Sequence, residues 1–437
     1  MLEIQKKLSN SFFAILSLPA TAMGFALSIQ ISALSWILVT QYGLDLHKMG
    51  IVWSAGPIAG LIAQPIVGAI SDNVWFWGGR RRPFIIIGGI LAALMLFALP
   101  HLSAINDSLG IGSLVIVAIV VALTFDLSIN VSFNPTRSLI ADVTPEGVIR
   151  TKGYTWMQFI SGSFGVLAYA IGAIFGNYFL IYFGIGLVLL FTIIPSLLIE
   201  EKRDLEDTNQ TEEQKKKATE TKLGEFLKVC FANAFSWLGI QTMFVFIIAF
   251  ISQKINPMPA DVTEQLKKTI DYKTGQVISV SFLILNAVGA VLPVFVLEPI
   301  AKKIGRIKTH TISVGIMALS YLGIVLFGHS QLSLFVLMAF AGIGWAAVVS
   351  LPFAIMSETV NQSRMGFYMG MFNLSIVIPQ LIVSYWFGSI IQNAADKNMV
   401  FIISAISLAI SAVLWMLPNE QKDSIEIANA EIAGDEV

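Results

Sequence analysis

Twelve runs of about 20 apolar residues, set apart by charged or turn-rich breaks, leave this chain few ways to fold. A helix of that length crosses the roughly 30 Å hydrocarbon core of a bilayer, and it satisfies its own backbone polar groups where no water can. The runs cover residues 11–40, 49–71, 83–103, 112–141, 153–175, 178–199, 226–252, 275–301, 309–329, 332–357, 366–390 and 398–417. Only 13% of the 437 residues are charged, against roughly 25% in a soluble domain. The expected class is therefore all-α integral membrane, with membrane lipids as its surroundings. The start, MLEIQKKLSNSF, enters the first run without a small-residue cleavage site, so the first helix is expected to stay.

Other classes are excluded on the same page. A net charge of −1, with basic residues scattered over several loops, gives nucleic acid nothing to bind. The single cysteine, Cys230, rules out an internal disulfide and a multi-cysteine metal site. The four histidines are dispersed, with His47 beside a span end, and HExxH spacing is absent. No nucleophile, base or metal set emerges, so neither an enzyme nor a cofactor is expected.

Orientation follows from lysine and arginine. With the N-terminus inside, the inner breaks and tails hold Lys6, Lys7, Arg80, Arg81, Arg82, Arg150, Lys152, Lys202, Arg203, Lys215, Lys216, Lys217, Lys222, Lys228, Lys302, Lys303, Arg306, Lys308, Arg364 and Lys422. The outer breaks hold only Lys48, Lys254, Lys267, Lys268, Lys273 and Lys397. Both termini are expected on the cytoplasmic side of a plasma membrane, or of the inner membrane in a bacterium.

The longest polar break, 200–225, divides the runs six and six. Residues 1–199 and 226–417 then form two six-helix halves, joined by that linker and followed by a tail at 418–437. The halves repeat. Asp72 stands seven residues before Gly79 and the Arg80, Arg81, Arg82 string, as Glu298 stands seven before Gly305, ahead of Arg306. Pro135, Asp142 and Arg150 are echoed by Pro352, Glu358 and Arg364. Secondary transporters are commonly built from repeated halves with a midplane site. The charged sets read as inside-facing latches between the halves, or as the basic loops that topology alone requires.

One residue breaks the repeat. Asp126 lies nine residues before Pro135, whereas Ile343 holds the matching place before Pro352. A charge at the bilayer centre costs about 2.5–3.5 kcal/mol even on insertion scales. Asp126 therefore reads as a proton acceptor, since burial disfavours the charged form of a carboxyl, or as half of a static ion pair. Arg137, eleven residues on, shares its helix face about 16 Å away. It either serves the same chemistry or snorkels to the interface. Asn130 and Asn134, with Gln30, Trp36, Gln64, Gln158, Trp237, Gln241, Asn286, Asn373 and Gln380, supply amides and rings suited to a sugar. Each also fits a role as interhelical glue.

These residues carry a resemblance. GPIAGLIAQPIVGAISD and GGRRRPFI, then DLSINVSFNPTRSLIAD, GVLAYAIG, LPFAIMSETV and GFYMGMFNLSIVIPQLIVS, resemble the sucrose and disaccharide transporters of the major facilitator superfamily. The resemblance implies that fold, with Asp126 as the proton-coupling site, Arg137 in coupling and sugar transport, and His47 near the sugar path. It also implies two departures: the seventh span lacks the acidic residues of plant members, and Ser28 stands where relatives place Gln or Glu. The expected function is proton-coupled symport of an α-glucoside such as sucrose or maltose by a monomer. Transport or export of another small solute, and a non-transporting sugar sensor, are the alternatives.

Overall fold

The structure is a computed structural model that describes residues 3–144, 148–201, 222–360 and 365–419. Among these residues the apolar runs are helical and no strand forms, apart from an isolated bridge between Phe76 and Gly79. The long helices are α1 (Asn10–Gln41), α2 (Ala55–Asn73), α3 (Arg82–Leu109), α4 (Leu114–Val143), α5 (Val148–Phe175) and α6 (Asn177–Leu198). They continue as α7 (Leu223–Ile255), α8 (Glu264–Leu292), α9 (Arg306–Phe327), α10 (Gln331–Thr359), α11 (Met365–Ile382) and α12 (Met399–Leu414). Ten helices among the described residues are long and apolar enough to cross a membrane.

Two boundaries differ from the sequence reading. The second run, read as one span, divides into a short helix, Leu46–Trp53, and α2, with the break at Ser54, whose hydroxyl donates to the Ile51 carbonyl at 2.6 Å. The eighth begins at Glu264 rather than 275, because helix continues through the charged KTIDYKTG segment that hydropathy reads as a break.

Packing divides the chain into one unit of Met1–Asp207 with Met258–Val280 and another of Thr208–Pro257 with Ser281–Val437. In the first, α1 packs on α5 and α6, and α3 lies between α4 and α6. Small residues allow that approach. A Cβ at Gly88 would come within 2.6 Å of the Ser128 carbonyl oxygen, and one at Gly89 would meet the Thr192 side chain. Phe12, Phe13, Leu16, Ile85, Leu139 and Ile140 close one end. Hydroxyls inside the helices return their hydrogen to the preceding turn, as Ser17 does to Phe13 and Thr136 to Ser132, so they enter the apolar interior already satisfied.

In the second unit α9 packs on α10 and α12, and α7 on α11 and α12. Phe226, Met356, Phe372 and Trp415 anchor one end. His310 is fully buried in α9, edge-on to Trp415 with ring centroids 4.3 Å apart. Both α1 and α7 end in wider π-helical turns, Gln30–Leu34 with Ile37–Gln41 in α1 and Ile251–Ile255 in α7. The first long helix of each unit thus carries this feature.

Candidate functional site

In the first unit Asp126 sits within α4 and is 4% exposed. Its carboxyl accepts a hydrogen bond from Gln30 Nε2 of α1 at 2.9 Å and faces the backbone of α2 at Gly56, where an added Cβ would stand 3.4 Å from both oxygens. Among the described residues no charged or titratable group acts on this carboxyl. An ionised carboxylate taken out of water needs a cation or neutralisation. A neutral amide and a glycine supply no cation.

The structure does not bring Arg137 to Asp126. Its guanidinium lies over the Phe133 ring, 4.2 Å from the centroid, the residue is exposed, and its carbonyl accepts the Tyr154 hydroxyl at 3.1 Å. Asn130 turns its Nδ2 back to the Asp126 main-chain oxygen at 2.8 Å, the ordinary step of one helical turn. Asn134 is half-buried and Gln158 exposed. His47 stands in the short helix capped by Asp45, which accepts from the Lys48 backbone N–H at 2.8 Å and pairs with its ammonium at 2.9 Å. Partial burial opposes the Asp45 charge, but those Lys48 interactions outweigh it and hold the carboxyl below its usual range.

The second unit gathers a different set. Gln380 Nε2 reaches Gln241 Oε1 at 3.3 Å, so the two amides on α7 and α11 meet. Trp237 packs edge-on to Trp345, and Trp345 Nε1 donates to Asn286 Oδ1 at 3.2 Å. Trp345, which sequence reading missed, stands on α10 two residues beyond Ile343, the position that matches Asp126 in the repeat. That register was the available signal. Asn373 is half-buried on α11. Amides beside aromatic faces suit a sugar. An apolar cleft of about 500 Å³ between α7 and α11 does not, since its one hydroxyl, Ser375, already donates to Phe372 and accepts from Asn233.

The arginine string is also resolved into parts. Arg80 Nη2 and Arg81 Nε meet Asp142 Oδ2 at 2.8 and 3.0 Å, and Arg81 Nη1 donates to Ser71 at 2.7 Å. These bonds join α2, α3 and α4 within the first unit. Glu201 was unmarked by sequence reading, yet its carboxylate accepts the backbone N–H groups of Arg80, Arg81 and Arg82, each at 2.8 Å. Arg82 adds a bond from Nη2 to the Ile199 carbonyl at 2.6 Å. Trp77 and Gly78, both at positive φ, make the tight turn that aims these N–H groups. A methyl group at Gly79 would collide with Glu201. The glycines and arginines of GGRRRPF are thus explained by one nest. Arg306 opens α9. The side chains of Gln64, Asp72, Glu298 and Glu358 lie outside the described residues.

Comparison with known proteins places this geometry. The model of the Major Facilitator Superfamily matches residues 16–384. The chain belongs to the major facilitator superfamily. It is accordingly a multi-pass membrane transport protein and not an enzyme. The chain is similar to the sucrose transport protein SUC4 of Arabidopsis thaliana, 25% identical over 84% of this chain and 82% of that one. It is also similar to the general alpha-glucoside permease of Schizosaccharomyces pombe, 29% identical over 43% of this chain and 39% of the permease. Among solved structures, the nucleoside transporter NupG superposes with a TM-score of 0.71 at 12% identity, covering 94% of this chain and all of that one. A D-xylose-proton symporter gives a TM-score of 0.68 at 14% identity, covering 94% and 98% of the two chains. Those superpositions establish the superfamily's fold.

Proposed function

We propose that this superfamily member is a monomeric secondary transporter that carries an α-glucoside such as sucrose or maltose with a proton, into the cytoplasm across the plasma membrane or a bacterial inner membrane. Both termini lie in the cytoplasm in this reading, with residues 1–199 and 226–417 as the alternating halves, 200–225 as their linker and 418–437 as the tail. One observation carries it: a carboxyl buried inside a membrane helix whose hydrogen-bonding side-chain partner is a neutral amide. Protonation admits that group to a low-dielectric site, and loss of the proton after sugar release resets it. The names of the plant and yeast relatives supply the substrate class. The tryptophan and amide set of the second unit supplies matching chemistry.

The remaining roles follow. Gln241, Gln380, Trp237, Asn130, Asn134, Gln158, Asn373, Gln30, Gln64 and His47 are the sugar-path candidates. Asp72, Arg80, Arg81, Arg82, Asp142, Glu298, Arg306 and Glu358 form the cytoplasmic gate. Purified protein in liposomes is screened against a dozen sugars. Sucrose or maltose is expected to cause alkalinisation outside as it enters; solute entry without proton movement would remove proton coupling from the reading.

Arg137→Lys tests the second charge of α4. Lysine keeps the charge and loses the planar stacking that guanidinium makes over Phe133. Maximal uptake is expected to fall by roughly threefold or more at unchanged protein level, about the loss of one exposed cation–π contact. Wild-type kinetics would return Arg137 to interfacial anchoring.

A further inference from the structure

Gln30 occupies an unusual point in α1. The α-helical part ends at Ile29, and Gln30 opens the first of the two π-helical segments, Gln30–Leu34 and Ile37–Gln41. Such turns are uncommon and concentrate at functional sites. The same stretch is tied down on its other faces. Ser32 Oγ lies 2.7 Å from Ser279 Oγ of α8 and donates to Asn177 Oδ1 of α6 at 3.3 Å. Ser35 accepts Trp53 Nε1 at 2.8 Å, and Trp36 Nε1 donates to the Asp271 carbonyl of α8 at 2.6 Å. Gly275 of α8 is pressed against Asn177 and Trp36. All of these residues belong to the first unit.

The wide turns therefore connect two things: the Asp126 carboxyl at Gln30, and the first half of α8 at Ser32 and Trp36. A glutamine amide can serve either form of the carboxyl, donating from Nε2 to the carboxylate or accepting at Oε1 from the protonated acid. It cannot do both in one orientation. Taking up the proton therefore either leaves Nε2 on the acid's carbonyl oxygen in a neutral bond about half as strong or turns the amide over, and Gln30, 5% exposed, has little solvent to compensate either change. The adjustment falls on the backbone that holds it, at the first of the two π-helical segments of α1.

We propose, on the basis of the symport reading above, that Gln30 is the positioning residue through which α1 registers whether Asp126 carries its proton. Gln30 from α1 and Gly56 from α2 are the groups that face the carboxyl among the described residues, and no charged or titratable group from the elements packed on α4 acts on it. Gln30 acts on the proton site, and sugar contact is not needed for that role. The Ser32–Ser279 and Trp36–Asp271 bonds carry the change to α8.

The test uses full-length protein in liposomes with radiolabelled sucrose and maltose, comparing wild type, Gln30→Met, Gln30→Glu and Ser279→Ala. Methionine keeps the volume and removes the hydrogen bond to the charged form, so the alkaline limb of the uptake curve is expected to move to higher pH by about one unit. Uphill accumulation falls at least several-fold. Glutamate puts a second carboxyl beside the first and is expected to move the same limb further, since two adjacent carboxyls resist double ionisation. It retains the shape of glutamine and covers the case in which the methionine variant does not fold. Ser279→Ala removes a tether without touching the carboxyl, so it lowers the rate at an unshifted pH curve. A wild type that takes up either sugar without proton movement overturns the symport reading, and the inference with it. A coupled wild type with unshifted pH curves in both Gln30 variants overturns the inference alone.

Discussion

Asp126→Asn is expected to reduce the accumulation ratio of the sugar to about one while leaving exchange measurable. Moving one charge through 100 mV is worth about 2.3 kcal/mol, and at 1.4 kcal/mol per factor of ten a single coupled proton supports roughly 40-fold accumulation before any pH gradient is added. All of that gain depends on a group that changes charge during the cycle. Asparagine is nearly isosteric, and its Oδ1 keeps an acceptor for Gln30 Nε2, now 2.9 Å from the carboxyl oxygen. The packing against Gly56 is retained as well. The variant should fold, bind sugar and exchange it, because it resembles the protonated carrier permanently. Time courses of uptake in vesicles with an imposed potential, beside counterflow at equal sugar, separate the two properties. Full uphill uptake by the asparagine variant would sink the coupling assignment, and loss of counterflow as well would make Asp126 a structural residue.

The membrane helices were legible because hydropathy is a local property: a run of 20 apolar residues states its own environment. The failures occur where local composition and structure part company. The segment KTIDYKTG looks like a loop, yet α8 runs through it and buries Thr274, because the first half of α8 packs within the first unit. Ser54 interrupts the second run with no proline or glycine at its own position to announce the break.

The candidate site was legible in part for the same reason. Asp126 announces itself as a carboxylate at membrane depth, and its lack of an echo at Ile343 sets it apart from the repeated frame. Its partner does not announce itself. Gln30 is 96 residues away and was one amide among many until the helices were packed. Arg137 shows the reverse: sharing a helix face suggested shared chemistry, but about 16 Å of helix lies between the two, and the guanidinium turns to Phe133. Facing in one direction is a weaker statement than touching. Trp345 escaped notice because a tryptophan in an apolar span is ordinary, and only Asn286 and Trp237 beside it give it meaning.

Glu201 was hidden most completely, since a glutamate at the start of a charged linker reads as solvated, and the second large effect is expected there. Glu201→Ala removes the acceptor for three main-chain N–H groups at the start of α3, each now 2.8 Å from a carboxylate oxygen. Helix starts leave such donors without intrahelical partners, and a carboxylate is the best group to meet them because the helix dipole adds to the bonds. The residue is only 8% exposed, so water replaces it poorly. The loss is expected to be about 2–4 kcal/mol, more than an ordinary cap because several charge-assisted bonds go together. It extends past α3. The main chain of Arg81 is held by Glu201 while its side chain holds Ser71 of α2 and Asp142 of α4, so freeing the backbone loosens both. Glu201→Gln retains one acceptor oxygen and should lose less. Glu200→Ala, at the exposed neighbouring position, is the control. Thermal denaturation of the purified protein in detergent, followed by size-exclusion fluorescence, ranks the variants. The expected order of stability is wild type with Glu200→Ala, then Glu201→Gln, then Glu201→Ala; equal stability of the two alanine variants would show that the nest holds without its carboxylate.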